Sequence, residues 1–393
     1  MKLFEKCFAY DEPEIVRKRG LYPYFTPIEG SSGSQVTCYG KPHIMIGSNN
    51  YLGLTHHPEV KEAAKRAIDK YGSGCTGSRF LNGNLDLHEE LEVKLAEFVG
   101  KETALLFSTG FLTNLGTISC LAEAEDVIFS DEENHASLIE GCRLSRARVV
   151  TYLHNDMNDL EKKLKKHAGI KGKIIITDGV FSMGGDIVRL PELVTLAKRY
   201  GALVYVDDAH GLGVLGRQGR GTVNHFGLDR EVDLIMGTFS KSFASLGGFL
   251  AGPAKVIDYV KHKCRPFMFS ASIPPASAAT VLTALRLMQE DPTMIASLWR
   301  NTEKMHSGFK KLGYNTGRSE TPIIPVILGK DQLAFIFTKR LSERGIFATP
   351  AVSPAVPKEK ALIRTSYMST QSEQELDQVL QSFAQIGAEF GVI

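Results

Sequence analysis

Three titratable side chains follow predicted strands at the points where those strands end. Asp207 closes the run ALVYVD, His210 comes three residues later, and Lys241 lies just past the run DLIMGTF. The carboxyl ends of parallel strands meet at one edge of a sheet, so we expect these side chains to share a pocket. Taken singly, an Asp after a strand is usually a turn former and a Lys is usually solvated. Their coincidence at neighbouring strand ends indicates a site.

A pocket that holds both an amine and a carboxylate suits pyridoxal phosphate (PLP). A lysine forms a Schiff base with the aldehyde, and an aspartate keeps the pyridine nitrogen protonated so that the ring accepts electrons. Gly110 and Phe111 follow the strand TALLFS and open a helical segment, where backbone amides would face the phosphate. His135, in the segment ENHAS after the strand DVIFS, could pack against the ring. On its own, His135 would be interpreted as a loop histidine.

A second motif points to a different class of protein. Residues 211–216 read GLGVLG, which matches the GxGxxG pattern of dinucleotide-binding folds. In those folds the glycines make the turn and open a helix, whereas here DDAH intervenes and the glycines run on into RQGRG. We interpret the motif as a flexible surface loop. A NAD-dependent dehydrogenase is the alternative that rests on this motif.

The elements that would position these residues form an alternating pattern. Six apolar runs, each typical of a strand buried on both faces, are separated by amphipathic segments: TALLFS, DVIFS, RVVTYL, KIIITD, ALVYVD and DLIMGTF. The pattern predicts an α/β fold with a doubly wound, mostly parallel sheet.

The sequence pattern predicts one region before the large domain and one after it. Residues 1–50 form an N-terminal arm with a short helix and a hairpin that turns at Gly40 and Lys41. A helix over about 58–71 opens the large domain, which we place at 51–285. The pattern over residues 286–393 predicts a smaller α+β domain. This domain takes in most of a long helical stretch over about 276–312, two strand runs and a final helix capped by Ser372 and Glu375.

Composition excludes several classes of function. The chain has 393 residues, with 46 Lys and Arg against 44 Asp and Glu. The two signs of charge are interspersed, so we expect no positive electrostatic field that would attract nucleic acid. The six cysteines are scattered without a CxxC pair, which predicts reduced thiols and no metal site. No signal peptide and no apolar run of membrane-spanning length is present. We therefore expect a cytoplasmic protein.

Five segments together resemble one family. STGF, ENHAS, TDGVFSMGGD, VDDAHGLG and GTFSKS are similar to the α-oxoamine synthases, which are fold type I PLP enzymes, and the resemblance runs from about residue 20 to the C-terminus. It implies a PLP-dependent acyltransferase that joins an amino acid to an acyl-CoA with loss of carbon dioxide.

Three further segments narrow the resemblance within the family. GSGCTGSRFLNGNLDLH, GTFSKSFASLGGF and VSPAVPKEKALIRTSYMST are most similar to bacterial members that use L-serine and a long-chain acyl-CoA such as palmitoyl-CoA. Those members form 3-ketodihydrosphingosine, the first step of sphingolipid biosynthesis. Members that use glycine or alanine, such as 2-amino-3-ketobutyrate CoA ligase and 8-amino-7-oxononanoate synthase, remain alternatives.

The resemblance implies a role for each site residue. Lys241 would be the Schiff-base lysine, Asp207 the partner of the pyridine nitrogen, His210 a donor to the ring hydroxyl and His135 the residue stacked on the ring. The remaining cofactor contacts are implied for Gly110, Phe111, Ser182, Thr238 and Ser240, and, from the second subunit of a homodimer, for Ser270 and Ala271. Relatives often have Thr where this chain has Ala271, so we leave that side-chain contact open.

Substrate-binding residues are implied at three positions. Arg364 in LIRTSYM shares a strand face with Leu362 and Ser366, and its guanidinium suits the carboxylate of the amino acid. A strand-edge Arg paired with a surface acid is the other interpretation. Asn49 and Ser78 match family positions at the substrate mouth, and both also fit turns. An acyl-CoA substrate leaves open a peripheral association with the inner face of the membrane.

Overall fold

The computed structural model describes residues 2–393 and divides into two compact units. Residues 49–299 form the large unit, and the segments before residue 49 and from residue 300 onward together form the composite unit. The sequence pattern predicts three consecutive segments with boundaries at 50 and 285. The structure instead groups the N-terminal segment with the C-terminal one.

Fifteen helices are found in the described part of the chain. They are α1 (Lys2–Phe8), α2 (Glu12–Lys18), α3 (Pro58–Tyr71), α4 (Asp86–Val99), α5 (Gly110–Leu121), α6 (Ala136–Leu144), α7 (Met157–Lys166), α8 (Leu190–Tyr200), α9 (Thr222–His225), α10 (Ala254–Lys263), α11 (Arg265–Met268), α12 (Pro275–Glu290), α13 (Thr293–Lys311), α14 (Asp331–Glu343) and α15 (Glu373–Glu389).

Fourteen strands are found in the same residues. They are β1 (Gly30–Ser32), β2 (Gln35–Cys38), β3 (Lys41–Met45), β4 (Thr103–Phe107), β5 (Val127–Asp131), β6 (Arg148–Tyr152), β7 (Lys173–Asp178), β8 (Leu203–Asp207), β9 (Leu234–Thr238), β10 (Gly248–Gly252), β11 (Ile323–Gly329), β12 (Ile346–Phe347), β13 (Thr349–Ala351) and β14 (Ala361–Ser366).

The large unit is built on a seven-stranded sheet in the order β4-β10-β9-β8-β7-β5-β6. Strands β5 to β9 run parallel, and β10 is antiparallel to β4 and β9. Each of the six predicted runs forms a strand of this sheet. Burial on both faces was wrong for RVVTYL, because β6 is an edge strand and most of its side chains are exposed. The predicted α/β fold with a mostly parallel sheet is confirmed.

The register of this sheet brings polar strand ends together. Asp178 of β7 pairs with Asp207 of β8, and Asp207 pairs with Met236 of β9. The apolar side chains below these ends, Ile176 and Tyr205 among them, are fully buried. The carboxyl edge of the sheet is therefore a polar rim on a rigid apolar base.

The composite unit has two sheets, β1-β2-β3-β12 and β11-β14-β13. Strand β12 pairs with β3 although about 300 residues separate them, which joins the two ends of the chain in one unit. Its core includes the aromatic side chains Phe309, Phe337 and Phe383, all with no exposed surface. The predicted capping box is confirmed at the start of α15, where Ser372 Oγ accepts a hydrogen bond from Glu375 N at 3.2 Å.

One local prediction was wrong in detail, and one helical stretch is divided. The hairpin turns at Tyr39 and Gly40 rather than at Gly40 and Lys41, because both turn residues take positive φ values, 53° and 68°, as a two-residue turn requires. The helical stretch predicted over about 276–312 consists of α12 and α13, which Pro292 separates because it interrupts the backbone hydrogen bonds. Among residues 2–393, no helix has the length and apolar character needed to span a bilayer.

Candidate active site

A cavity of about 250 Å³ opens at the carboxyl ends of β7, β8 and β9 in the large unit. Eight of the residues predicted to bind the cofactor line it: Gly110, Phe111, His135, Asp207, His210, Thr238, Ser240 and Lys241. These residues come from four separate stretches of the chain. The structure therefore brings together the amine, the carboxylate and both imidazoles that the sequence analysis singled out.

One end of the cavity is built to hold an anion. Thr109 is the N-cap of α5, and its Oγ1 accepts a hydrogen bond from Leu112 N at 3.1 Å, which leaves the amides of the first helical turn directed outward. A Cβ on Gly110 would lie 2.7 Å from Thr238 Oγ1, so only glycine lets α5 approach β9 this closely. Thr238 and Ser240 add two hydroxyls 3.0 Å apart. A phosphate group fits this arrangement.

Asp207 also lines the cavity and is held by neutral donors. It is only 3 % exposed, and its two oxygens accept hydrogen bonds from Asn114 Nδ2 at 2.6 Å and from Ala209 N at 3.0 Å. Asn114 is itself fixed, because its Oδ1 accepts a hydrogen bond from Tyr205 OH at 2.7 Å. The carboxylate is thus oriented without a cationic protein partner in these contacts, which suits it to pair with a protonated ring nitrogen.

Asn114 also connects Asp207 to His135. Its Nδ2 lies 2.8 Å from Ser137 Oγ, and Ser137 Oγ lies 2.7 Å from His135 Nδ1. His135 Nδ1 accepts a hydrogen bond from Ser137 N, so the proton of the neutral ring resides on Nε2. Burial lowers the pKa of His135. The negative charge of Asp207 acts in the opposite direction, and the positive charge of Lys241 lowers the pKa further. His135 is therefore a neutral imidazole in the cavity wall.

Two further contacts orient the imidazoles. His135 N donates to Asp178 Oδ2 at 2.7 Å, and burial followed by the charge of Asp207 raises the pKa of Asp178 well above its usual range. His210 Nδ1 lies 2.7 Å from the hydroxyl of the fully buried Tyr51. The sequence analysis missed Asn114 and Tyr51. Polar residues on the buried face of α5 were the available signal for Asn114, and Tyr51 had none.

The segment that carries Lys241 rests on the glycine-rich loop 211–221. Ser242 Oγ donates to Leu212 O at 2.8 Å, and a Cβ on Gly213 would lie 2.4 Å from Ser242 Cβ. The fully buried Asp208 closes the loop by accepting hydrogen bonds from Thr222 N at 2.7 Å and from Thr222 OH at 2.6 Å. Burial raises the pKa of Asp208 to about 7.

The interpretation of residues 211–216 as a flexible surface loop is therefore wrong. Leu212, Val214 and Leu215 are buried, because the loop folds back around Asp208 and supports the lysine segment. It does not open a helix of the kind that binds a dinucleotide. The observation on which the dehydrogenase alternative rested is thereby removed.

The remaining predicted residues lie outside the lining of this cavity. Ser182 follows Phe181 on a turn, and Ala271 O accepts a hydrogen bond from the hydroxyl of Ser108, next to the anion site. Ser270 precedes Ala271 in the same segment. Asn49 Oδ1 accepts a hydrogen bond from Tyr51 OH at 3.5 Å.

Two further predicted residues complete the set. Ser78 is 8 % exposed, and its Oγ has no hydrogen-bond partner among residues 2–393. Arg364 is half-buried on β14 of the composite unit, opposite Thr349 and Pro325. Within the described residues no group of three or more His, Cys, Asp and Glu side chains could hold a metal ion.

Comparisons with known proteins place this site in a family. The family described as aminotransferase class I and II matches residues 41–383. Serine palmitoyltransferase of Bacteriovorax stolpii is 54 % identical over 98 % of this chain and 92 % of its own length. The 8-amino-7-oxononanoate synthase of Thermoanaerobacter pseudethanolicus is 46 % identical over 98 % of each chain. A solved structure of serine palmitoyltransferase with a PLP internal aldimine superposes with a TM-score of 0.96 at 35 % identity, over 100 % of this chain and 99 % of that one.

The chain belongs to the class I and II aminotransferase family of fold type I PLP enzymes. Within that family, its relatives identify it as a member of the α-oxoamine synthases. The family, the fold class, the enzyme class and the cofactor predicted from the sequence are thereby confirmed.

The packing of the glycine-rich loop generates a first prediction. We expect Gly213→Ala to push Ser242 away and displace Lys241, lowering activity by about tenfold or more and speeding the loss of PLP on dialysis. Gly227→Ala is the matched control: Gly227 has a similar φ of +67° against +77°, but a Cβ there meets no atom within 4 Å. Both variants carry about 1–2 kcal/mol of backbone strain. Equal activity in the two variants would contradict the supporting role of the loop.

Proposed function

We propose that this enzyme condenses L-serine with a long-chain acyl-CoA, palmitoyl-CoA in the first instance, releasing CoA and carbon dioxide and forming 3-ketodihydrosphingosine. The observation that carries the proposal is the nearly full-length similarity to serine palmitoyltransferases, joined to a cavity that gathers an amine, a carboxylate and an anion cradle. A synthase that uses alanine or glycine is the second candidate, because 8-amino-7-oxononanoate synthases are also similar over nearly the whole chain.

The residues of the cavity fit PLP at both of its ends. When bound, PLP supplies an electron sink for the negative charge that develops at the Cα of the amino acid. The α5 amides at Gly110 and Phe111, with the hydroxyls of Thr238 and Ser240, would hold the phosphate. Asp207 would keep the ring nitrogen protonated, and His210 would donate to the ring hydroxyl.

Lys241 would hold the cofactor covalently and also act as the base. Its Nζ takes the proton from Cα of serine and later returns a proton to the product. The supported lysine segment fixes where that amine stands, because Ser242 is tied to Leu212. Proton transfer needs the donor and acceptor atoms about 3 Å apart, so this support bears directly on the rate.

His135 would do two things on one face of the ring. Its imidazole packs against the cofactor, and its Nε2 proton is available to the carboxylate of serine, since Nδ1 accepts from Ser137 N. By holding that carboxylate, His135 would orient the Cα–H bond of serine for removal of its proton. The lowered pKa of His135 keeps the imidazole a neutral donor.

Substrate recognition is proposed for three further residues. Arg364 would pair with the serine carboxylate, because a guanidinium matches a carboxylate with two parallel hydrogen bonds. Asn49 and Ser78 would lie at the substrate mouth, and the buried, unpartnered Oγ of Ser78 is suited to a ligand. Ser182 would lie near the ring.

We also propose a homodimer in which Ser270 and Ala271 approach the phosphate of the second subunit. Apolar side chains around this segment are exposed on the large unit: Phe269 is 75 % exposed, Leu81 79 % and Phe80 50 %. Exposed apolar residues in one region are typical of an interface.

The proposed location is the cytoplasm, with peripheral contact at the inner face of the membrane. Helix α1 exposes Leu3 and Phe8 by 72 % and 83 % beside Lys2 and Lys6. Apolar side chains flanked by lysines suit an anionic lipid surface.

The main test follows product formation by the purified holoenzyme. We expect 3-ketodihydrosphingosine by mass spectrometry, and CoA release, with L-serine and palmitoyl-CoA. Lys241→Ala should abolish both, because the base and the covalent anchor are lost together. The exposed lysine variant Lys255→Ala should behave as the parent. Faster CoA release with glycine or alanine than with serine would reassign the enzyme within its family.

Arg364 provides a separate test of serine binding. Arg364→Ala should weaken the serine-dependent spectral change by about 1.5–3 kcal/mol, or roughly 10- to 100-fold in concentration, the value of a charge-assisted hydrogen bond. Arg364→Lys should recover part of the affinity, because an ammonium lacks the bidentate fork. The KM for acyl-CoA serves as the internal control and should not change. Unchanged serine affinity in Arg364→Ala would remove Arg364 from the site.

The oligomeric state can be measured directly. Sedimentation should give twice the 43.2 kDa of one chain. Phe269→Asp should shift the protein towards the monomer, because it puts a charge into the proposed apolar contact. The control is Leu203→Asp, an exposed apolar residue, 54 % accessible, at the opposite end of the sheet. A parent protein that sediments as a monomer at micromolar concentration would contradict the proposal.

A further inference from the structure

A charged cluster lies behind the cavity wall in the large unit. His154 follows β6, and its side chain is 14 % exposed. Its Nδ1 lies 3.0 Å from Asp131 Oδ1 and its Nε2 lies 2.8 Å from Asp186 Oδ2. Both ring nitrogens therefore face carboxylate oxygens, so both carry a proton and the ring is an imidazolium. None of the three residues lines the cavity.

The surroundings favour this charged form. Burial lowers the pKa of His154, but the hydrogen bonds and charges of Asp131 and Asp186 raise it to about 10. Glu133 adds a third carboxylate, 3.8 Å from His154 Nε2. The ring of Phe181 packs edge to face on the imidazole, with the two ring centroids 4.4 Å apart. His154 is thus positively charged throughout the neutral pH range.

The first of its partners controls the turn that carries His135. Asp131 is the last residue of β5, and its Oδ1 also accepts a hydrogen bond from Glu133 N at 2.9 Å. Its Oδ2 accepts from Asn155 N at 2.9 Å. Both oxygens are therefore committed at the start of the turn 132–135. The far end of that turn is tied to β7 by the bond from His135 N to Asp178.

The second partner belongs to the turn that carries Ser182. Asp186 O accepts from Phe181 N at 3.0 Å, which closes the turn 181–186. Asp186 Oδ2 accepts from Asn155 Nδ2 at 3.1 Å in addition to His154. The imidazolium therefore joins two turns that come from different strands, and each turn carries a residue predicted for the cofactor site.

We propose that His154 is a positioning residue for the reaction, locking the turn 132–135 against the turn 181–186 and so setting the place of the His135 ring. A buried charge triad adds little stability over apolar packing of the same shape, because its desolvation offsets the attraction. The specific effect of the triad is to fix the relative positions of the two turns. Displacing a residue in contact with the reacting groups by about 1 Å can cost about 100-fold in rate.

The test is a double-mutant cycle in the holoenzyme, and its activity arm rests on the proposed function. His154→Gln should lower kcat by about 10- to 100-fold with acyl-CoA KM unchanged. In a His135→Ala background the same change should have almost no further effect, because the residue being positioned is gone. His167→Gln is the matched control. His167 also has an edge-to-face phenylalanine contact and a backbone hydrogen bond, but no carboxylate partner in those contacts.

A second readout is independent of turnover. The visible circular dichroism of bound PLP reports the asymmetry of its surroundings, and we expect it to change in His154→Gln and in His135→Ala but not in His167→Gln. An activity loss that multiplies in the double variant, or an unchanged dichroism in His154→Gln, would overturn the proposal. If the parent has no turnover with serine, the proposed function fails, while the dichroism still decides the role of His154. Asp186→Asn replaces His154→Gln if the latter does not fold.

The charge of His154 can be checked through stability. A pKa raised in the folded state means that the imidazolium contributes stability fully below its unfolded pKa of about 6.5 and loses that contribution as the pH rises through about 10. The difference in unfolding free energy between the parent and His154→Gln should therefore be largest near pH 6 and shrink towards pH 10. A difference that does not change over this range would contradict the ionic clamp.

Discussion

The site depends on one buried carboxylate that is held by hydrogen bonds rather than by a cation. Asp207 accepts from Asn114 and from the amide of Ala209. Neutral donors orient a carboxylate without neutralising its charge, and a buried carboxylate interacts more strongly with a cation than an exposed one does. The protonated ring nitrogen of PLP is such a cation. In the proposed function, the rest of the cavity would bring the cofactor to this carboxylate in one orientation.

The sheet supplies that orientation through distance and polarity. The anion cradle at the start of α5 and the carboxylate at the end of β8 both line one cavity. A ligand with a phosphate at one end and a basic nitrogen at the other can satisfy the cradle and the carboxylate together in only one direction. Gly110 is needed for this arrangement, since a side chain there would separate α5 from β9. Lys241 lines the same cavity, and the loop around Asp208 supports its segment.

The residues that line the cavity could be predicted from the sequence, and the residues that hold them could not. Asp207, His135 and Lys241 follow strongly apolar runs, so their place at the carboxyl edge follows from the strand pattern. Their supports come from elsewhere in the chain: Asn114 lies inside a helix, and Tyr51 lies 159 residues before His210. The glycine motif was misinterpreted for the same reason: the loop folds around Asp208, whose hydrogen-bond partner Thr222 lies outside the motif. The pairing of β12 with β3, which joins the two chain ends, is likewise a contact between distant segments.

Two buried charged groups of the large unit, His154 and Asp207, differ in the kind of partner that surrounds them. His154 is surrounded by carboxylates, so its charge is compensated inside the protein and its effect is to fix two turns. Asp207 receives only dipoles from its direct partners, so part of its electrostatic potential remains for a ligand. A cationic partner at Asp207 would neutralise that potential, and neutral donors around His154 would leave a buried charge uncompensated at a cost of several kcal/mol. In the arrangement found here, the carboxylate with neutral direct partners lines the cavity, and the ion pairs of His154 lie outside the cavity lining. Ligand binding then completes the electrostatics of the site, while the scaffold is complete without it.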